Sequence, residues 1–539
     1  MSKAHPYWFD TSRPTQQNSV LPFMLERNAR HCPSRMFCKF ADGTNWTYAE
    51  ALTLTKQTAA YLSSVGIKRH DLVLAWLPNG PAMLRVWFAL NYIGAVFVPL
   101  NLDYRGRILE HVIRETQSRT MIAHQDLIER LDTIDTSTLE LVLAVGGTDR
   151  QIGDKILVRG TQLTSDTVIN EPADVNVWDL QMVIFTSGTT GPSKGVLCPY
   201  LQMVTVGKGS YGYLEGDDCI LIDLPIFHVG GVSPVMAAIT NYASMALYDG
   251  FKTSQFWSRI KQSNATTTSG LIGSMAAFLA KAPKVPDEHV HSLRRLTCVL
   301  NEQALQVAKR YDISLCSGFN MSELSVPLVT EIDCQIPGSC GKPRSGCECR
   351  IVDEHDYECA IGEIGELIVR TDQPWETSLG YLNRPQATAD AWRNGWFHTG
   401  DLVREDADGN FFFIDRLKDA VRRRGENVSS LEVENEVLGY EAVAEAAVVG
   451  IPSDLGDEDI LVVVVAKQDQ SIEPQKLIEY LIPLMPHYMV PRFVRTMDAL
   501  PKTPTNKSMK YALRDEGITK DTWDAEAAGI FLKKTRLSP

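Results

Sequence analysis

The sequence predicts an α/β fold in two parts: a large N-terminal domain of several subdomains, with mostly parallel sheets and a small antiparallel unit, then a separate α+β C-terminal domain. Three observations predict it. The chain has 539 residues, more than one hydrophobic core organises, so two or more domains are expected. Amphipathic stretches at 48–65 and 83–93 alternate with β-branched runs at 72–77 and 219–224, the texture of parallel sheets covered by helices. Residues 363–370 alternate with period two, as a half-buried strand of a smaller antiparallel unit does.

The elements follow in chain order. Residues 181–185 read as a buried strand, and the run TSGTTGPSKGV, Thr186 to Val196, follows it directly. This loop holds the hydroxyls of Thr186, Ser187, Thr189 and Thr190, with glycines at 188, 191 and 195 that let the backbone fold around a ligand without a Cβ in the way. Its N–H groups can converge on one anion while Lys194 adds a point charge, which is how a chain grips phosphate. The run is not a Walker A, which needs GxxxxGK followed by Ser or Thr. After Arg416 the charged stretch DRLKDAVRRRG leads into the C-terminal domain, giving bounds of 1–415 and 416–539. There Ser429 with Glu432 forms a capping box for a helix over 431–438. Strands at 444–450 and 460–466, a helix at 474–485 and a strand at 493–496 complete a compact unit.

Composition excludes several classes of function. A net charge of −13 disfavours nucleic acid as the main partner, and an anionic substrate then needs local basic sites. No apolar stretch reaches the roughly 18 residues of a membrane span. The start MSKAHPYWFD lacks a basic-then-apolar leader, and TRLSP at the other end is no peroxisomal address, so a cytoplasmic location is expected. Among the 11 cysteines, Cys334, Cys340, Cys347, Cys349 and Cys359 lie close together but contain no CxxC pair, and His355 has no second histidine at ligand spacing. Reduced, buried thiols are the expectation.

Several separated motifs then fall in one order. These are Leu77 to Asn101, the phosphate-type loop, PIFHVGG (Pro225 to Gly231), GFNMSE (Gly318 to Glu323), GWFHTGD ending in Asp401, DRLKD with Arg416 and Lys418, RRRGEN, and PKTPTNK ending in Lys507. Together they resemble the acyl-adenylate-forming superfamily of acyl-CoA synthetases, luciferases and peptide-synthetase adenylation domains, over nearly the whole chain. RRRGENVSS, PKTPTNK and DTWDAE look like the bacterial subgroup that includes crotonobetaine/carnitine-CoA ligases.

The resemblance implies an enzyme that joins a carboxylic acid to ATP as acyl-AMP, releases pyrophosphate, and passes the acyl group to coenzyme A. Thr186, Lys194 and the loop residues Ser187, Gly188, Thr189, Thr190 and Gly191 would hold the phosphates. Glu323 with Thr186 would hold Mg2+, a hard ion suited to oxygen donors. Gly318, Phe319, Asn320, Met321 and Ser322 would line the nucleotide, with Phe319 on adenine, Asp401 on the ribose hydroxyls and Arg416 assisting. Lys507 would serve the adenylation step, where a flexible ammonium can reach both the carboxylate and the α-phosphate. The family's C-terminal domain is mobile, and Lys418 matches its hinge. Gly425 matches the glycine beside the thiol tunnel, with Arg422 and Glu426 next to it. Arg422, Arg423 and Arg424 either contact CoA phosphates or are simply solvated.

The sequence departs from the family pattern at several points. Asn320 and Asn506 replace glycines, Ser322 replaces threonine, and Leu296 to Gln303 lacks the glycines of the turn that lies against adenine. Phe227 and His228 would flank the acyl pocket, with His228 also counted among the catalytic residues. His228 stands where amino-acid-activating relatives carry an aspartate, which disfavours a free amino acid. The stretch GLIGSMAAFL, with Gly270 and Gly273, is apolar and small, suited to an aliphatic or cyclic acyl group. A ligase that loads a carrier protein, and a non-catalytic binding protein of this fold, stay open as alternatives. So does a homodimer.

Overall fold

The computed structural model describes residues 13–152, 156–186, 193–270, 273–284, 288–416, 420–424, 426–453, 456–501 and 510–532. Two large sheets organise the N-terminal part. One has seven strands in the spatial order Ser314–Cys316, Arg295–Thr297, Thr267–Thr268, Cys219–Ile222, Ser244–Leu247, Met36–Phe40 and Asn45–Thr47, parallel except for the last pair. The other has eight strands, parallel from Leu180–Thr186 through Val96–Pro99, Leu72–Trp76, Thr120–His124, Leu141–Val145 and Ile156–Thr161, with an antiparallel strand at each edge.

The helices Tyr200–Tyr211 and Val229–Thr240 are sunk in one core that joins Phe37 and Cys38 of the first sheet to Val73, Ala75 and Phe97 of the second. These two helices approach so closely that a Cβ on Gly207 would lie 2.8 Å from the Ala237 backbone nitrogen. The predicted helices appear as Tyr48–Ser64 and Pro81–Tyr92. A Thr47/Glu50 capping box starts the first. Pro81 opens the second, where its missing N–H costs no bond.

A third, antiparallel sheet runs Gly318–Phe319, Leu328–Val329, Ser339–Pro343, Phe411–Arg416, Trp396–Glu405, Ile364–Thr371 and Cys347–Val352. The predicted alternating strand is its member Ile364–Thr371. The C-terminal part holds the hairpin Ala420–Arg423 with Glu426–Ser429 and a sheet of Val443–Pro452, Glu458–Ala466, Phe493–Thr496 and Trp523–Asp524. The helix expected over 474–485 stops at Leu481. Its next residues turn through Pro483, a residue that cannot sit inside a helix without losing a bond.

Apolar side chains join the two parts. Tyr104, Ile108 and Phe185 share a core with Val421, Val428, Val433 and Met489. No helix among the described residues is long and apolar enough to cross a membrane.

Candidate active site

The strand Leu180–Thr186 pairs antiparallel with Lys194–Pro199, with Thr186 opposite Lys194, so the hydroxyl- and glycine-rich loop is a hairpin whose two ends are fixed by the sheet. Ser187, Gly188, Thr189, Thr190 and Gly191 lie outside the described residues. At the far end of the hairpin the Lys194 ammonium sits 4.9 Å over the Tyr381 ring. The Tyr381 hydroxyl donates to Glu323 Oε1 at 2.8 Å, so lysine, ring and carboxylate form one chain.

Backbone contacts hold that chain in place. Leu197 N–H donates to Gly380 O at 2.9 Å, Leu382 N–H to Gly195 O at 2.8 Å, and Ser378 N–H to Glu323 O at 2.9 Å. Gln202 Nε2 donates to Ser322 O at 2.9 Å from the buried helix below. Beneath the same loop, the fully buried Arg344 donates to Ser325 O and Val326 O at 3.1 Å each and pairs with Glu376 at 3.1 Å. Glu323 and Ser322 are buried, Met321 and Phe319 partly so, and Phe319 packs against the antiparallel-sheet core.

Where the family has glycine, Asn320 Oδ1 accepts from Val326 N–H at 3.2 Å, so the side chain closes the turn instead. The segment after residue 296 likewise ends on Asn301, whose Oδ1 caps the helix Glu302–Tyr311 by accepting from Ala304 N–H at 2.8 Å.

Asp401 is 2% exposed at the middle of Trp396–Glu405 and lies in register with Arg416. Its turn is held by Glu366, which the sequence did not single out. Glu366 Oε1 accepts from Gly400 N–H at 2.9 Å, while Oε2 lies 2.9 Å from His398 Nδ1 and accepts from Arg393 at 3.1 Å. Gly400 has φ +70°, which suits glycine. The signal available in sequence was a glutamate directly before the apolar run Leu367, Ile368 and Val369 of a strand.

The PIFHVGG run forms the entry to the helix Val229–Thr240, with His228 at its N-cap position. Gly231 tolerates no side chain, since a Cβ would fall 2.2 Å from Pro225 O. Phe227 is buried with its ring 4.7 Å from that of His228. His228 Nε2 meets Glu426 Oε2 at 2.7 Å, so the predicted acyl-pocket histidine and a predicted CoA-side residue touch across the two domains. Gly270 N–H donates to the Tyr211 hydroxyl at 2.9 Å, and Gly273 opens the helix Gly273–Lys281.

One expectation needs correction. Arg423 neither faces solvent nor is placed to meet a phosphate: it is 1% exposed, donates to Asp459 Oδ1 at 3.0 Å and to Val490 O, and so fastens the hairpin to its own sheet. Arg422 is exposed, with its N–H on Glu458 at 2.8 Å. The helix expected at 431 begins at Ser430. Glu432 stands at the third position of this helix, as the capping box requires, and sends Oε1 to Ser193 N–H at 2.6 Å, next to Lys194 in the other domain; the Ser429 side chain lies outside the described residues. Lys418, Gly425 and Lys507 lie outside the described residues, and the side chain of Arg416 is likewise not described.

Residues 25–382 match the AMP-binding enzyme family and residues 432–507 its C-terminal domain. The chain is similar to a feruloyl-CoA synthase of an Amycolatopsis species, 30% identical over 500 residues covering 90% of this chain and 97% of that one. It is also similar to the crotonobetaine/carnitine–CoA ligase of Proteus mirabilis, 27% identical over 489 residues, 87% of this chain and 93% of that one. Among solved structures, the o-succinylbenzoate CoA synthetase of Bacillus subtilis bound to a product analogue superposes with a TM-score of 0.77 at 22% identity, covering 91% of this chain and 98% of that one.

Proposed function

The chain belongs to the AMP-binding enzyme family, and from that premise we propose that it is an ATP-dependent carboxylic acid:CoA ligase acting on an aliphatic, cyclic or aryl acid. The observation that carries the reading is the Lys194–Tyr381–Glu323 chain at the end of the hydroxyl- and glycine-rich run. Buried Asp401, braced through Gly400, and the His228–Glu426 contact of the C-terminal hairpin agree with it.

In the first half-reaction a carboxylate oxygen attacks the α-phosphorus of ATP and pyrophosphate leaves. The help a protein gives there is charge and positioning. Thr186 and Lys194, at the two ends of the loop, receive the departing phosphates. Glu323 is a buried carboxylate already oriented by Tyr381, which fits a hard divalent ion. Glu323 and Thr186 would hold Mg2+, which supplies neutralisation of phosphate charge. Asp401 accepts from the ribose hydroxyls, and Phe319 lies along the base. Lys507 serves this step from the C-terminal domain.

In the second half-reaction the CoA sulfur attacks the acyl carbonyl and AMP leaves. The contact of Glu426 with His228 brings the hairpin Ala420–Arg423 with Glu426–Ser429 to the acyl side in this reading. Lys418 is then the hinge between the two arrangements, and the domain boundary falls at 415/416. Phe227, His228, Gly270 and Gly273 bound the acyl pocket. The similarity to a feruloyl-CoA synthase supports including aryl acids.

The test is AMP release from Mg-ATP across aryl, aliphatic, cyclic and betaine acids, each with and without CoA. CoA-dependent AMP formation with one acid class is the expected result. Pyrophosphate exchange that free CoA fails to pull forward, but a holo-carrier protein does, would replace this reading.

A further inference from the structure

We propose that the outer face of the antiparallel sheet holds a second binding site, for a small organic molecule that carries one primary ammonium group. Strand alternation builds it. Leu367, Val369 and Phe397 face the core against which Phe319 packs, which turns Ile368, Trp396 and His398 to the opposite face, where Arg350 and Val352 of the edge strand join them. Residues 355–358 of the turn that follows the edge strand close a cavity of about 260 Å³ over this face. Its apolar floor is the packed trio Val352, Ile368 and Trp396.

One atom of the lining lacks a hydrogen-bond donor. The His398 side chain is 3% exposed, and its Nδ1 lies 2.9 Å from Glu366 Oε2. Burial pushes the Glu366 carboxyl up, but the bonds from His398 and Gly400 N–H outweigh it and hold the group below the ordinary carboxylate range. An ionised carboxylate only accepts, so Nδ1 carries the hydrogen of that bond and Nε2 of the neutral ring presents a lone pair. Nε2 is buried with no hydrogen-bond partner among the described residues, and Asp356 Oδ2, 3.8 Å away, is itself an acceptor. A buried polar atom left in that state costs about 1–3 kcal/mol, which a donor on a ligand removes.

Charge points the same way. The Asp356 carboxyl is also held low, since Arg393 and Asn394 outweigh the effect of its burial. Asp356 and Glu366 share Arg393 as ion-pair partner. Glu348 pairs with Arg350 and Arg370, and Glu358 lies 4.0 Å from Arg350, so four carboxylates stand against three guanidiniums. Glu354 and His355 pair with each other at 3.6 Å on the exposed turn. An alkylammonium brings three donors and one positive charge, so it can meet Nε2, the Asp356 carboxylate and the excess negative charge together while its carbon chain lies on the apolar floor. The described residues gather no three His, Cys, Asp or Glu side chains as metal ligands, so an ammonium fits this lining and a divalent ion does not.

Titration calorimetry on the full chain, without ATP or acid, tests the site with n-butylammonium chloride, its neutral counterpart 1-butanol, and sodium chloride at matched ionic strength. Expected is one equivalent of butylammonium bound about tenfold or more tightly than the alcohol, the worth of a charge-assisted hydrogen bond. Because His398 also holds Glu366, which braces the Asp401 turn, the variants leave it in place. Asp356→Asn keeps the side-chain shape, and asparagine tolerates the φ of +65° found there. It should melt near the wild-type temperature and bind butylammonium about tenfold more weakly. Glu358→Gln, on the exposed turn, should weaken binding about two- to threefold, and it decides the matter if the first variant is unfolded. Absence of butylammonium binding, equal affinity for butanol, or binding that both variants leave unchanged overturns the site. Nα-acetyl-lysine amide bound more tightly than butylammonium overturns the small-molecule reading in favour of a lysine side chain of another protein.

Discussion

Glu323 reaches the cleft from within one domain, whereas Glu426 and Glu432 reach it from another. Around Glu323 the partners are backbone ladders and a buried ion pair: the bridge of Lys194–Pro199 to 379–382, the Gln202 contact and the Arg344–Glu376 pair. Around Glu426 and Glu432 the contacts are side-chain ones, to His228 and to Ser193 N–H, with Asn101 donating to the Tyr488 hydroxyl at 2.8 Å beside them. Deforming the first set breaks several backbone bonds together. Parting the second breaks side-chain contacts and exposes some apolar area. One side of the cleft is thus built to keep its geometry and the other to be made and unmade.

That contrast is open to test, beginning with the side built to hold. Arg344→Ala leaves Glu376 buried without its partner and should cost about 3–5 kcal/mol of stability, read as a drop in melting temperature. A loss under about 1 kcal/mol would mean that the 318–329 loop does not depend on this anchor. Glu323→Gln should lower ATP–pyrophosphate exchange about 10² to 10³-fold, and Lys507→Ala should do the same while sparing thioester formation from a preformed acyl-adenylate. Equal loss of both half-reactions would break the assignment of that side to adenylation.

Smaller effects are expected across the domains. Glu426→Gln replaces the carboxylate that faces His228 by a neutral amide and should slow thioester formation about tenfold more than it slows pyrophosphate exchange, since a hydrogen bond to a charged group contributes about 1.5–3 kcal/mol. Uniform slowing would place Glu426 outside the second half-reaction. Tyr381→Phe should raise the KM for Mg-ATP only about fivefold, the worth of one neutral hydrogen bond near 1 kcal/mol. A far larger rise would show that Tyr381 touches the nucleotide itself.

Much of the cleft was legible in sequence because its motifs are local. A strand followed by hydroxyls, glycines and one lysine predicts a phosphate-type loop, and the strands on both sides of it pair Thr186 with Lys194. The motif runs also named Glu323, Asp401 and His228, the residues on which the proposed site rests. Glu366 and Tyr381 were not found, because their work is to hold another residue: a glutamate inside an apolar strand and a tyrosine among loop residues carry no local mark of the partner they meet. Arg423 was misread for the converse reason. Three adjacent arginines look alike in sequence, but strand alternation turns the middle one inward to Asp459.

By itself the sequence determined the α/β architecture, the two-part organisation and the chemistry of the motif residues, since periodicity, glycine placement and donor type act within a few neighbouring residues. Only the tertiary structure decided which carboxylates meet which partners. The place of Glu432 in the first turn of its helix is legible from four consecutive residues, but the contact of its oxygen with Ser193, distant in the chain, is not. A buried carboxylate takes the donor that lies within hydrogen-bond reach in space, and that distance is set by how two domains pack.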